Sequence, residues 1–150
     1  MWLACSLRGS GVTEVEFFVE GKPAPQGSKS FRGMSKSGRA ILSEASKSVG
    51  PWRKQVAEVA AELAFDPVPR GDPVSVWIEF ILPRPKSTPK VTPAAVKRPD
   101  LDKLERAVLD AITGILIEDD SQVIRLSGRK RIAELGEMSG AVVRVITVSE

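Results

Sequence analysis

Two long stretches rich in proline and glycine limit how this chain can fold. Residues 21–40 read GKPAPQGSKSFRGMSKSGRA, and residues 83–99 read PRPKSTPKVTPAAVKRP. Proline lacks a backbone N–H donor and interrupts helices and strands, so both stretches are predicted to be long loops. The helices and strands must therefore lie in the segments before, between and after these two loops.

The other segments have the periodicities of strands and helices. Alternating apolar residues predict four strands, at 12–20, 74–82, about 123–131 and about 141–148. Apolar residues at helical spacing predict two helices, at about 51–65 and 100–113. The order β, α, β, α, β, β predicts an α/β fold with a mixed sheet of about four strands and two helices. We expect one domain over residues 1–150, with the order of residues 1–11 left open.

The composition excludes several kinds of chemistry. The chain has no histidine and a single cysteine, Cys5. Histidine catalysis, an internal disulfide and a zinc site of the Cys and His type are therefore excluded. A catalytic acid, base or metal ligand must come mostly from Asp, Glu or Lys. Oxygen ligands favour a hard cation, Mg²⁺, with Mn²⁺ as a substitute.

The hydrophobic pattern gives no sign of a membrane protein. No apolar run approaches the roughly 20 residues that a transmembrane helix needs. The opening MWLACSLRGS lacks the basic start and long apolar stretch of a secretory signal. We therefore expect a cytoplasmic protein with no membrane partner.

Basic residues concentrate in the two loops. Residues 21–54 contain eight basic residues against one acidic residue, Glu44, and residues 83–98 contain five basic residues and no acid. Such loops suit a polyphosphate backbone, although charge also simply keeps loops soluble. Two basic loops around one acidic centre favour nucleic acid. The candidate DNA-binding residues are Lys22, Lys29, Arg32, Lys36, Arg39, Arg84, Lys86, Lys97, Arg98 and Lys103.

Acidic residues gather between the second loop and the third predicted strand. Residues 98–123 hold seven of the nineteen acidic residues but only three of the twenty-two basic ones. Asp100 is predicted at the helix N-cap and Asp102 in the first turn, so that their carboxylates can converge. Asp119 and Asp120 form a second cluster beside Glu118. Like charges placed together cost energy unless a cation lies among them.

Simpler explanations exist for each acidic residue taken alone. Asp is a preferred N-cap, an early Asp complements the helix dipole, and EDDS suits an ordinary turn. An EF-hand is excluded, because the residues after Asp102 lack the turn glycine and the next ligand. No GxxxxGK[ST] phosphate-binding loop is present. Arg106, one turn after Asp102, either forms an ion pair or contacts a scissile phosphate.

Taken together, these residues resemble the RusA family of Holliday junction resolvases. The resemblance rests on the motifs PDLD at residues 99–102, AVLDA at 107–111 and DDSQV at 119–123, with Arg106 and Gly114 between them. It implies a RusA-like, homodimeric, Mg²⁺-dependent endodeoxyribonuclease that nicks four-way junction DNA symmetrically in recombination and repair.

The resemblance also implies which residues act. Asp100, Asp102 and Asp120 match the family's essential carboxylates, while Arg106 and Lys103 replace its usual lysine and asparagine. We expect the three aspartates to hold the metal, with Asp119 binding it directly or supporting the other ligands. Arg106 is expected to contact the phosphate. This interpretation requires the distant aspartates to meet in the folded dimer.

Two other functions remain open from the sequence. One is a non-catalytic module that binds branched DNA through its basic loops. The other is a metal-dependent enzyme that acts on small nucleotides. The apolar residues Val12, Phe18 and Trp77 are candidates for a dimer surface, although internal packing explains them equally well.

Overall fold

The computed structural model describes residues 7–9, 12–27 and 47–148. Five strands and two helices follow one another in this part of the chain. They are β1 (Leu7–Gly9), β2 (Val12–Glu20), α1 (Val49–Glu62), β3 (Val74–Leu82), α2 (Leu101–Ile112), β4 (Val123–Ile132) and β5 (Gly140–Thr147). A short 3-10 helix, Asp120–Gln122, comes directly before β4.

All five strands join one mixed sheet in the order β1-β2-β5-β3-β4. Neighbouring strands are antiparallel, except that β3 and β4 are parallel. The predicted α/β class with two helices and a mixed sheet is confirmed. Strand β1 is an addition to the four predicted strands, because three residues form a strand only when a neighbour supplies hydrogen-bond partners. Residues 1–6, 10 and 11 lie outside the described residues.

One face of the sheet packs against both helices. Alternate side chains of the strands pack against side chains spaced three or four residues apart on α1 and α2. Together they form one buried cluster. Its members include Phe17, Val76, Ile78 and Phe80 from the sheet and Trp52, Val56, Leu104, Val108 and Ile112 from the helices. Each fully buried apolar side chain of this size contributes about 1.5–3 kcal/mol. This core therefore holds α2, and the acidic residues at its start, against the sheet.

The opposite face of the sheet carries ion pairs. Arg144 of β5 pairs with Glu16 of β2 at 3.0 Å and lies over the ring of Trp77, 5.5 Å from its centroid. Glu79 of β3 pairs with Arg131 of β4 at 3.1 Å. These contacts cross neighbouring strands and satisfy charges on a half-covered surface. Trp77 therefore has a packing partner within the chain.

The helix ends differ slightly from those predicted. Helix α1 spans Val49–Glu62 rather than 51–65, and Ala64, with φ at 50°, lies just beyond its end. A left-handed φ cannot continue a right-handed helix. Helix α2 is one residue shorter at each end than predicted, because Asp100 and Thr113 have extended backbones. Asp100 thus occupies the predicted N-cap position.

The proline-rich loop, residues 83–99, is tied to the sheet by two basic side chains. Arg84 donates a hydrogen bond to the carbonyl oxygen of Ala133 at 3.2 Å. Lys130 of β4 donates to the carbonyl oxygens of Lys97 and Pro99, both at 2.7 Å. The carbonyl oxygens that accept these bonds belong to residues outside the helices and strands, so they need side-chain partners. The carboxyl end of β4 consequently lies beside the residue that precedes Asp100.

A carboxylate in the β4–β5 connection should make stability depend on pH. Arg131 binds both oxygens of Glu137, at 2.6 and 2.7 Å. These hydrogen bonds, with one from the backbone N–H of Glu134, lower the pKa of Glu137 from 4.5 to about 2. A depressed pKa stabilises the folded state above the unfolded pKa, and this stabilisation is lost as the pH falls through the folded pKa.

We therefore expect the wild-type protein to lose more stability than Glu137→Gln as the pH falls from 4.5 towards 2. Urea unfolding at a series of pH values measures this difference. Glu62→Gln, at an exposed carboxylate on α1, is the control and should keep the wild-type slope. Identical slopes for the wild type and Glu137→Gln would contradict the assignment.

Candidate functional site

The first acidic cluster lies at the amino end of α2. Asp100 is the N-cap residue, yet its side chain makes no capping hydrogen bond. Its carboxylate is 53% exposed and lies 3.7 Å from the Nζ of Lys103. Asp102, in the first turn, is also exposed. An exposed ion pair of this kind contributes little to stability, so the Asp100 carboxylate remains available to a ligand.

Glu105 joins this cluster, and the sequence interpretation missed it. It follows Asp102 by three residues, which places both side chains on one helix face. Burial, and then the charge of Asp102, raises the pKa of Glu105. The Glu105 carboxylate lies directly against Gly128 of β4, where a Cβ would force this flexible side chain to shift. Glycine at 128 thus leaves room for the present position of the Glu105 carboxylate.

Arg106 is exposed, and among the described residues it forms no ion pair. The pair with Asp102 that helical spacing allowed is therefore not formed. No described acidic residue therefore competes for the donors of this guanidinium, and they are available to a phosphate.

The second acidic cluster lies just before β4. The carboxylate of Asp119 accepts the backbone N–H of Ser121 at 2.9 Å and lies 3.5 Å from Nη2 of Arg70. The hydrogen bond from Ser121 is the main reason why the pKa of Asp119 is lowered. Asp120 is the first residue of the 3-10 helix and is exposed. Asp119 is therefore engaged within the chain, whereas Asp120 points its carboxylate to the surface.

Gln122 holds this cluster in place, and the sequence interpretation gave it no role. It is only 5% exposed. Its Oε1 accepts the backbone N–H groups of Glu118 and Asp119, at 2.9 and 3.0 Å. Its Nε2 donates to backbone carbonyls of the segment before β3, at 3.0 Å to Pro69 and 2.8 Å to Asp72. One buried amide thus joins the Asp119–Asp120 turn to a distant segment of the chain.

The two acidic clusters lie towards opposite ends of β4. Pro99, next to Asp100, is bonded to Lys130, whereas Asp120 comes shortly before Val123. At about 3.3 Å per residue, the strand from Val123 to Lys130 spans roughly 23 Å. Accordingly, no group of three His, Cys, Asp or Glu side chains that could hold a metal ion exists among residues 7–9, 12–27 and 47–148. One chain does not bring Asp100, Asp102 and Asp120 together.

The first basic loop lies against the amino end of α2. The backbone N–H of Gln26 donates to the carbonyl oxygen of Lys103 at 2.9 Å. Lys22 in the same segment is exposed. The described part of this loop therefore lies next to the first acidic cluster.

The predicted DNA-binding residues fall into three groups. Those that are exposed and carry a charge available to DNA are Lys22, Lys86, Lys97 and Arg98. Two have partners within the chain: Arg84 bonds to its own loop, and Lys103 pairs with Asp100. Four lie outside the described residues, namely Lys29, Arg32, Lys36 and Arg39.

In the part of the chain that the structure describes, no helix has both the length and the apolar character to cross a bilayer.

Loss of the Gln122 amide should destabilise the protein. Gln122→Leu would remove hydrogen-bond partners from part-buried backbone groups, among them the N–H of Asp119 and the carbonyl oxygen of Asp72, so we expect the free energy of unfolding to fall by about 2 kcal/mol. Gln55→Leu is the matched control, because Gln55 is exposed and, among the described residues, its amide bonds only the carbonyl oxygen of Glu20. Its effect should stay within about 0.5 kcal/mol in urea unfolding. Equal effects of the two substitutions would contradict the role of Gln122.

Comparison with known proteins identifies the family. The family model described as endodeoxyribonuclease RusA matches residues 20–145. An uncharacterized protein of Bacillus subtilis (strain 168), YqaN, is 31% identical over 130 residues, which cover 80% of this chain and 89% of that protein. The match includes both acidic clusters, both helices, strands β3 and β4 and most of β5. The chain therefore belongs to the RusA family of endodeoxyribonucleases.

Proposed function

We propose that this protein is a Mg²⁺-dependent, structure-selective endodeoxyribonuclease that resolves Holliday junctions by paired symmetric nicks, in DNA recombination and repair. The observation that carries the proposal is the RusA family match over residues 20–145, which contain Asp100, Asp102 and Asp120. All three aspartates are exposed rather than used in the core. They are thus available to a ligand and to DNA.

The chemistry of these donors fits a hard divalent cation, but their placement in one chain does not. Carboxylate oxygens are the ligands that Mg²⁺ prefers, with Mn²⁺ as a substitute. A cation held by Asp100, Asp102 and Asp120 would supply charge stabilisation for phosphodiester hydrolysis and would activate a water. The separation of the clusters along β4 means that a single chain offers only part of this ligand set.

We infer that a second copy of the chain completes the site. Strand β4 is at the edge of the sheet, and its Ile124 and Leu126 are 50% and 41% exposed. An uncovered edge strand is a common pairing surface. If two β4 edges approach antiparallel about a twofold axis, the start of one strand lies beside the end of the other. Asp120 of one copy then lies near Asp100 and Asp102 of its partner.

This arrangement also accounts for paired incisions. Twofold symmetry produces two equivalent sites, one for each of the two strands to be cut at a junction. Ile124 and Leu126 are better dimer candidates than Trp77 and Phe18, because Trp77 packs under Arg144 and Phe18 packs against Gly140. The side chain of Val12, the third candidate chosen from sequence, lies outside the described part of the structure.

Two further residues have supporting roles in this proposal. Arg106 keeps a free guanidinium one turn after Asp102 and contacts the scissile phosphate, with the charge of the family's lysine but a different shape. Asp119 is held by Ser121 and Arg70, so it stabilises the turn that presents Asp120. Asp120 then supplies the carboxylate that faces the partner.

Cleavage should depend on Asp102. We expect Asp102→Asn to lower nicking of a synthetic four-way junction in Mg²⁺ by roughly a hundredfold or more. Asp110→Asn, at a carboxylate further along the same helix, is the matched control and should nick at close to the wild-type rate. Junction binding in EDTA should be nearly equal for all three proteins. Normal nicking by Asp102→Asn would refute the assignment.

The same assay separates the other two functions. A non-catalytic branched-DNA-binding module would bind the junction but show no nicking in Mg²⁺ by the wild-type protein. An enzyme acting on small nucleotides would turn over mononucleotides, and its binding would depend little on salt. Metal-dependent nicking of the junction in preference to linear duplex supports the resolvase.

A mixed dimer tests whether the two copies share a site. Asp102→Asn and Asp120→Asn chains, co-expressed with different tags and purified through both tags, leave one shared site intact and one doubly altered. We expect about half of the wild-type nicks, all on one strand of each junction. Each variant alone should be inactive. No recovery in the mixed dimer would mean that every site belongs to a single chain.

A further inference from the structure

A cavity of about 580 Å³ lies where the two basic loops meet. Its walls are formed by the Lys22–Pro23 segment, the ends of β3 and β4, and residues 83–99. Its size is within the range of about 300–1,000 Å³ that is typical of small-molecule sites. The proposed roles of the aspartates do not use this cavity.

The proline-rich wall of the cavity is held in a defined shape. Arg84 donates to the carbonyl oxygen of Pro89 at 2.7 Å and to Oγ1 of Thr92 at 2.7 Å. The Nζ of Lys130 donates hydrogen bonds to the carbonyl oxygens of Lys97 and Pro99. These bonds engage several backbone carbonyl oxygens of the loop. The surface that the loop presents to the cavity is therefore mainly apolar. Its apolar members include Pro83, Pro85, Pro93, Ala94, Ala95 and Val96.

In the described part of the chain, the charged residues that line the cavity are all basic. They include Lys22, Lys97 and Arg98, which are exposed, and no Asp or Glu is among the described lining residues. A cavity with an apolar interior and a basic rim fits a ligand that contains both a flat apolar group and a negatively charged group. A nucleotide has this character, since its base can pack on apolar side chains while its phosphate meets Lys and Arg.

We propose that this cavity binds one unstacked nucleobase at the branch of a DNA junction, with the adjacent phosphate at Lys22, Lys97 and Arg98. The proposal rests on the proposed function, because it takes DNA as the substrate. Unstacking a base costs a few kcal/mol and costs least where pairing is already disturbed, as at a branch. Arg98 and Pro99 directly precede Asp100, so a base held here fixes the register of the strand beside the first acidic cluster.

The chain offers a matched pair of positions for the test. Val96 and Val91 are 85% and 84% exposed and lie in the same loop, but only Val96 lines the cavity. Val96→Asp and Val91→Asp change the net charge equally, so they differ only in where the carboxylate is placed. Ala94→Asp, at a second exposed lining residue, repeats the test independently.

Binding is measured in EDTA on four-way junctions that carry 2-aminopurine either at the branch or within an arm. This base brightens when it leaves the stack. We expect wild-type protein to brighten the branch probe but not the arm probe. Val96→Asp and Ala94→Asp should each remove the brightening and weaken junction binding by about tenfold, as expected for the loss of one base contact. Val91→Asp should resemble the wild type.

Three results would overturn the proposal: no brightening with the wild type, equal brightening at the branch and in the arm, or equal binding by Val96→Asp and Val91→Asp. Failure of the proposed function would look different. In that case the wild-type protein would not nick the junction in Mg²⁺, whatever the 2-aminopurine signal in EDTA.

Discussion

The parallel pairing of β3 and β4 determines where the chemistry of this protein can take place. Parallel neighbours cannot be joined by a hairpin, so the chain must cross back over the sheet before β4 begins. Here the crossover consists of the proline-rich loop and α2. The loop leaves at the carboxyl end of β3, and α2 returns towards the start of β4. Asp100 and Asp120 therefore lie at the two ends of the returning half of this crossover, one before α2 and one after it.

Buried or half-buried polar side chains hold both ends of this crossover. At one end, Arg84 and Lys130 bind backbone carbonyls of the loop that leads into α2. At the other end, Gln122 binds backbone groups on both sides of the turn that contains Asp119. The part-buried bonds among them are costly to lose, because a backbone group shielded from water is then left without a partner. The acidic residues are thus presented by rigid segments.

The separation of the clusters also shapes the proposed mechanism. Because α2 packs on the sheet through Leu104, Val108 and Ile112 of the core, neither cluster can move towards the other without loss of this packing. A catalytic site that needs both must draw on two chains. Cleavage by such a site would be linked to assembly, so that an isolated chain would not cut DNA.

The local pattern of the sequence was enough to predict much of this protein. Period-two and helical spacing located the four longer strands, both helices and the N-cap at Asp100, because these signals depend on neighbouring residues. The motifs around Asp100 and Asp120 were likewise enough to indicate the family. The addition of β1, the roles of Gln122, Lys130 and Glu105, and the use of Arg84 within its own loop could not be read in the same way. Gln122, Lys130 and Glu105 contact residues far away in the chain, whereas β1 and Arg84 bind nearby backbone groups that no periodic pattern marks. Only the tertiary structure decides which backbone groups are left to be bound and how far apart the two acidic clusters lie.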